Sequence, residues 1–300
     1  MAELMNTAQI ARYLGINQKK IYFLAKNGKI PCTRVTGKWT FPKKLIDQWI
    51  EQSAAGLIGK TEKTEERPFL LAAGSDDPSL GILRDLYEAR TKPGSLFMGT
   101  VGSRSGITAI CEGVADFATA HLFDPATGEY NLSFIEEMLP GSTVAVALFY
   151  RNLGLVLKPG NSKNINSISD LRRAGIRITN RQPGSGTRHF LDHELIRLNV
   201  DPKRIAGYDT AVSTHLEVGT SVLRGAIDVG IATETTARLL GLNFIPLRRE
   251  RFDLLILKDR FFSVGIQTLL GVIGAREFRE RMEAIGGYDA SESGRIVTAN

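Results

Sequence analysis

The segment 180–192, reading NRQPGSGTRHFLD, holds the residue types best suited to chemistry on a small ligand. It follows the apolar run 176–179 and precedes apolar residues at Phe190, Leu191, Leu195, Ile196 and Leu198, so the pattern predicts a strand, a Gly-rich turn and a helix. Such a turn leaves bare backbone N–H groups and the hydroxyls of Ser185 and Thr187, with Gly186 and Arg188, at the positive end of a helix, where anions bind. Neither the Lys of a phosphate-binding P-loop nor the third Gly of a dinucleotide fingerprint is present. The expectation is a small anion held mainly by neutral donors. The alternative is a turn that only reverses the chain.

The elements that would position this turn are short apolar strands alternating with amphipathic helices from residue 69 onward, the pattern of an α/β domain with a mainly parallel sheet. Strands at 69–73 and 96–101 end in Gly74-Ser75-Asp76-Asp77-Pro78 and Gly102-Ser103-Arg104-Ser105-Gly106, and two further strands are expected at 143–150 and 153–157. Ligands of open α/β sheets collect outside the carboxyl ends of strands, and Ser75, Ser103 and Ser185 each stand at such an end beside Gly. EGVADFATAHL (112–122) and RGAIDVGIATE (224–234) share a helix end, a Gly, an Asp and a short strand, which points to two lobes of related topology.

Catalysis and metal binding find less support. His189 and His193 share a helix face, but spacing offers no third ligand, and they read as partly exposed helix residues with no metal. His215 either lines the cleft or caps a helix, and His121 is either cleft-lining or core. No base or nucleophile elbow accompanies Ser185, so no catalytic residue is assigned and no enzyme is expected.

Charge is distributed unevenly over the 300 residues. Residues 1–50 hold nine Lys and Arg against Glu3 and Asp47, a local +7, whereas the whole chain carries +6 and the remainder therefore −1. A basic excess confined to one end marks a nucleic-acid-binding module. The two cysteines, Cys32 and Cys111, lie far apart, no apolar run is long enough for a membrane span, and no export signal opens the chain, so a cytoplasmic protein is expected.

Within this basic end, Ile10, Ala11 and Leu14 predict a short helix capped by Asn6 or Thr7. A second helix is expected over 17–26, with Ile21 and Leu24 inward and Gln18, Lys19, Lys20, Tyr22 and Lys26 outward. Residues 30–41 alternate around Thr36-Gly37-Lys38 as a β-hairpin, and a third helix follows Pro42. This text resembles the winged helix-turn-helix of the excisionase (MerR-like) family. The resemblance implies a DNA-binding domain at 1–55, with Gln18, Lys19, Lys20, Tyr22 and Lys26 on the helix facing double-stranded DNA and Arg34 and Lys38 in the wing. Residues 52–67 are small, polar and charged, and a linker is placed at 56–67.

From residue 68 to 300 the motifs GSDDP, VGSRSGI, ADFATAHLFDPATGEYN, NRQPGSGTRHFLDHEL, THLEV and DVGIATETTARLLGLNF resemble the type II periplasmic-binding-protein fold. They are closer still to the PBP-like domain fused to molybdopterin-biosynthesis proteins of the MoeA type. The resemblance implies a two-lobed α/β clamshell around a small ligand, with Ser75, Ser103, Tyr150, Ser185, Gly186, Thr187 and Arg188 lining it and Arg151 as a weaker candidate; His215 joins the expected ligand-binding set from its own place in THLEV. Relatives include binders of molybdate and tungstate. The combined expectation is a one-component transcriptional regulator, dimeric and cytoplasmic, that senses an oxyanion and needs no cofactor. An oxyanion-importer binding protein and a molybdenum-cofactor biosynthesis accessory are the alternatives.

Overall fold

The computed structural model describes residues 4–26, 30–34, 37–55, 69–91 and 94–297. The chain divides into two compact units, residues 1–65 and 66–300.

The first unit opens with β1 (Leu4–Asn6), which leads directly into α1 (Thr7–Tyr13). Asn6 closes a full capping box, its side chain accepting from Ala8 and Gln9 N–H while Gln9 bonds back to its backbone. After a turn through Gly15, at φ +66°, comes α2 (Gln18–Lys26). Thr33 and Thr40 exchange two backbone hydrogen bonds of 2.9 Å at the base of the wing, although Val35 and Thr36 of the expected turn lie outside the described residues. β2 (Thr40–Pro42) then pairs antiparallel with β1, a strand the sequence did not announce, and α3 (Lys43–Ala55) closes the unit. α3 runs through the first residues read as linker, and the linker expected at 56–67 lies outside the described residues. Ile10, Ile21, Ile30, Phe41 and Ile46 form the core, with Trp39 and Trp49 packed against it.

In the second unit the order is β3 (Phe69–Gly74), α4 (Leu80–Arg90), β4 (Ser95–Thr100), α5 (Ser103–Cys111), β5 (Phe117–Ala120), α6 (Leu132–Met138) and β6 (Thr143–Leu157). There follow β7 (Asn180–Arg181), α7 (Gly186–Arg197), β8 (Ala211–Val212), α8 (His215–Leu223), β9 (Val229–Thr233), α9 (Glu234–Leu239) and β10 (Asn243–Leu257). The last elements are α10 (Val264–Ile273), α11 (Arg276–Ile285), β11 (Tyr288–Asp289) and β12 (Ile296–Val297). Among the described residues the main sheet has eight strands, and it is mixed rather than mainly parallel. β3 pairs in parallel with β4 and β5, while β10 is antiparallel to both β5 and β6. The two strands expected at 143–150 and 153–157 are one, because Arg151 and Asn152 stay in the ladder opposite Glu250 and Arg249.

β6 and β10 run side by side through both lobes. Their ends at Thr143 and Leu257 belong to lobe 1, whose sheet is covered on one face by a core around Leu83, Phe149, Phe252 and Ile266 and on the other by one around Ile107, Ala118 and Leu255. Their opposite ends belong to lobe 2, packed by Leu153, Leu155, Ile178, Leu191 and Val229 and by Val156, Val218 and Ala232. Alternation along each strand sends consecutive residues to opposite faces, which decides what reaches the middle.

Candidate functional site

Where β6 and β10 cross between the lobes, Arg151 and Glu250 stand opposite each other and are both 2% exposed. Arg151 Nε donates to Glu250 Oε1 at 2.7 Å, and its Nη1 donates to Asp77 Oδ2 at 2.5 Å and to the Asp76 carbonyl at 3.3 Å. The other Glu250 oxygen lies 3.0 Å from His121 Nδ1, and Tyr288 donates to Asp77. Burial pushes the His121 imidazole toward its neutral form, with Arg151 and Arg181 adding to the effect against the pull of Glu250. Burial alone would raise the Glu250 carboxyl; the cations facing it, His121 when protonated and Arg151 always, reverse the shift and hold it at about 2. With His121 neutral near pH 7, Arg151 is the partner that keeps Glu250 ionised.

The three serines picked out by their glycines converge. Ser75 and Ser103 share a hydrogen bond of 2.5 Å, and Ser103 Oγ also accepts from the His121 N–H at 3.2 Å. α5 begins at Ser103 itself, so this hydroxyl sits in the first helical turn rather than in a loop. Across from it, Arg104 N–H donates to the Gly184 carbonyl at 3.2 Å. A Cβ on Gly102 would sit 3.2 Å from Gly184 and Ser185 backbone, and one on Gly186 would lie 2.6 Å from the His121 ring. Glycine at these two positions is what lets the lobes come this close. Ser185 caps α7 by accepting from Arg188 N–H at 3.1 Å, as its place after the turn predicts.

Lobe 2 adds α8, where Thr214 and Glu217 form a capping box and His215 follows the cap. The His215 N–H donates across the lobes to Asp76 Oδ2 at 2.9 Å, so a lobe 1 carboxylate meets the N-terminus of this helix. The His215 ring is fully buried, and burial together with Arg181, Arg151 and His121 drives its pKa well below the usual value. Arg181, at the end of β7, donates through Nη2 to the Ser213 carbonyl at 2.6 Å. Among the described residues, Arg151 Nη2, Arg181 Nε and Nη1, Thr187 Oγ1 and both His215 ring nitrogens are buried without a hydrogen-bond partner. Outside this cluster the same is true only of Thr143 Oγ1 and His193 Nδ1. Arg181 and Thr187 also line one cavity of ≈ 10 Å³, room for about one water. Buried polar atoms without partners are costly, and six of them are concentrated in this one place.

Two candidates turn elsewhere. Tyr150 points to the face opposite Arg151, where its hydroxyl donates to Glu292 at 3.0 Å and Arg249 stacks on its ring. The Arg188 guanidinium is held within lobe 2 by Asp192 and by stacking 4.0 Å from the Tyr208 centroid. Beside the neutral donors expected there, the structure places two buried guanidinium groups with unpartnered nitrogens, those of Arg151 and Arg181. Arg181 closes the strand before the Gly-rich turn and Asp76 and Asp77 belong to the GSDDP strand end, so all three lay within motifs already singled out, whereas Glu250 gave no signal without the pairing of β6 with β10.

In the first unit, Gln18, Lys19, Lys20, Tyr22 and Lys26 are exposed on α2, and Arg34 and Lys38 are exposed in the wing. Arg34 donates to the Gly37 carbonyl and lies over the Trp39 ring at 5.3 Å, which fixes one wing cation.

A helix-turn-helix domain matches residues 4–54, and the PBP superfamily domain matches residues 84–274. The chain belongs to the PBP superfamily. Uncharacterized protein YvgK of Bacillus subtilis (strain 168) is 27% identical over 299 residues, covering 96% of each chain. Among solved structures, this PBP chain is similar to a phosphate ABC transporter substrate-binding protein with bound phosphate from Clostridium perfringens (TM-score 0.55, 12% identity, 74% of this chain and 98% of that one). It is also similar to the tungstate ABC transporter structure from Geobacter sulfurreducens (TM-score 0.52, 12% identity, 72% and 98%). At such identities the likeness concerns the fold, a type II periplasmic-binding-protein architecture behind a small helix-turn-helix. No helix among the described residues is long and apolar enough to cross a membrane.

Proposed function

We propose that this protein is a one-component transcriptional regulator that binds double-stranded DNA through residues 1–55 and senses a small oxyanion between the lobes of its PBP domain. One observation carries the sensing half: the unpartnered donors of Arg151, Arg181, Thr187 and His215 cluster where the two lobes meet. Two guanidinium groups, a hydroxyl and an imidazole suit a compact ligand rich in acceptors. Molybdate and tungstate are favoured by the resemblance to PBP-like domains associated with molybdopterin biosynthesis. Ligand bridging the lobes would stabilise the closed form and shift which spacing of two DNA-binding heads a cytoplasmic dimer presents. The wing and α2 supply the DNA half, with no catalytic step and no cofactor.

Thermal unfolding against molybdate, tungstate, sulfate, phosphate and small carboxylates tests the sensor. An anion at about a hundred times its Kd adds roughly 2.7 kcal/mol, which raises the midpoint by about 5–10 °C for a unit of this size at about 2–4 °C per kcal/mol. No shift with any of them removes the oxyanion reading. In parallel, Ser185→Ala with Thr187→Ala should weaken the response and leave DNA binding without anion intact.

A further inference from the structure

The His215 ring lies at the first turn of α8, fully buried, with both nitrogens unpartnered among the described residues. Charged and titratable groups reach it from several elements, with Asp77 and Glu250 behind Arg151. Arg181 comes from β7, Arg151 from β6 and His121 from the end of β5, while Asp76 reaches the backbone N–H from the end of β3. On its own helix, Glu217 is spent on the cap at Thr214. The positive end of α8 adds to the two guanidinium groups. Burial first, and then the two guanidinium groups, keep the imidazole neutral, so it offers one N–H and one bare lone pair.

An anion entering this cluster reverses the field at the ring. The neutral imidazole would turn a lone pair toward negative charge on one side, whereas the protonated ring offers two N–H donors. The charge inventory points the same way. Arg151 and Arg181 are set against three acidic side chains, Asp77 and Glu250 paired with Arg151 and Asp76 with its carboxyl pushed upward by burial, so acidic side chains outnumber guanidinium groups before any anion arrives.

Resting on the oxyanion reading above, we propose that binding of the anion is coupled to uptake of one solvent proton by His215, which makes the sensor read anion concentration and pH together. The sign follows from linkage. If the bound state holds the proton more tightly than the free state, affinity rises as pH falls between the two pKa values of His215 and is flat outside that window.

Isothermal calorimetry with molybdate, which carries no proton of its own between pH 6 and 8, tests this on the full-length protein. Run in Tris and in HEPES at the same pH, the wild type should show binding heats that differ by the buffers' ionisation enthalpies times a positive proton number. Its Kd should tighten toward pH 6 by up to about tenfold per pH unit for a full proton. His215→Asn keeps one donor but cannot titrate, so it should bind molybdate with heats independent of buffer. Molybdate binding with equal heats in both buffers and a flat Kd overturns the proposal while leaving the oxyanion reading in place. Proton uptake that persists in His215→Asn assigns it to Asp76 or His121 and overturns it as well. Failure of wild type to bind any anion of the panel at any pH overturns both readings.

Discussion

Lobe 1 and lobe 2 are built with the same local joint. In lobe 1, Asp116 exchanges hydrogen bonds with Leu71, its N–H donating at 2.7 Å and its carboxylate accepting at 2.8 Å; in lobe 2, Asp228 does the same with Arg177 at 2.9 and 2.8 Å. The preceding glycines, Gly113 and Gly225, both sit at positive φ, +70° and +75°. Yet the polar groups that the lobes bring to the cleft differ in kind. Lobe 1 and the crossing strands bring Asp77, Glu250, His121, Ser75 and Ser103, and these bond to one another or to Arg151. Lobe 2 brings Arg181, Thr187 and His215, each with unpartnered atoms. One side of the cleft is internally satisfied except at Arg151 Nη2; the other holds most of the unpartnered atoms.

Removing a partner from the satisfied side should have the largest effect. Arg151→Met leaves Asp77 and Glu250 as buried uncompensated carboxylates and should cost about 3–5 kcal/mol in urea unfolding. On the unsatisfied side the outcome should invert. Arg181→Met removes a charge whose Nε and Nη1 have no partner, so stability without anion should hold or rise, while affinity for the anion falls by roughly 2–5 kcal/mol in calorimetry. Equal losses of stability in the two variants would erase the distinction between the sides.

Acid should probe the same difference. Glu250 is depressed in the folded state to about 2, so its stabilisation is complete above the ordinary carboxylate pKa and fades as pH falls toward that value. In Glu250→Gln this part of the acid dependence should be missing when chemical unfolding is repeated from pH 6 downward. A smaller effect is expected at the α7 cap. Ser185→Ala should cost about 1 kcal/mol, because Arg188 N–H loses its acceptor. On the separate DNA-binding unit, Lys19→Ala and Lys20→Ala should each flatten the salt dependence of DNA affinity by about one unit of slope without changing sequence preference, if these exposed lysines meet phosphates.

Much of this was legible in the sequence because it is local. Glycine beside serine at strand ends marked Ser75, Ser103 and Ser185, and the repeated Gly and Asp before β5 and β9 marked the joint that both lobes share. Asn6 as a capping residue placed α1 for the same reason, whereas at α8 the cap is Thr214 and not His215, which follows it. What could not be read depends on which strands become neighbours. Arg151 and Glu250 are 99 positions apart in sequence and meet only because β6 and β10 pair through the hinge. The parity of that ladder also decided between Tyr150 and Arg151, turning the adjacent hydroxyl away. The sense of the sheet was misjudged for a related reason: the long β10 inserts antiparallel between strands that by themselves look like a parallel set.

The place of β10 also governs how the chain must assemble during synthesis. It lies between β5 and β6 in the sheet, although it is made after every strand of lobe 2. Until residue 257 has been made, the edges of β5 and β6 that β10 pairs in the finished sheet lack that partner strand, and the sheet of lobe 1 is incomplete even though most of its residues were made first. Lobe 2 is thus nested inside an unfinished lobe 1, and a ribosome that pauses between β9 and β10 exposes the nascent chain to aggregation at the very edges that the mature protein hides.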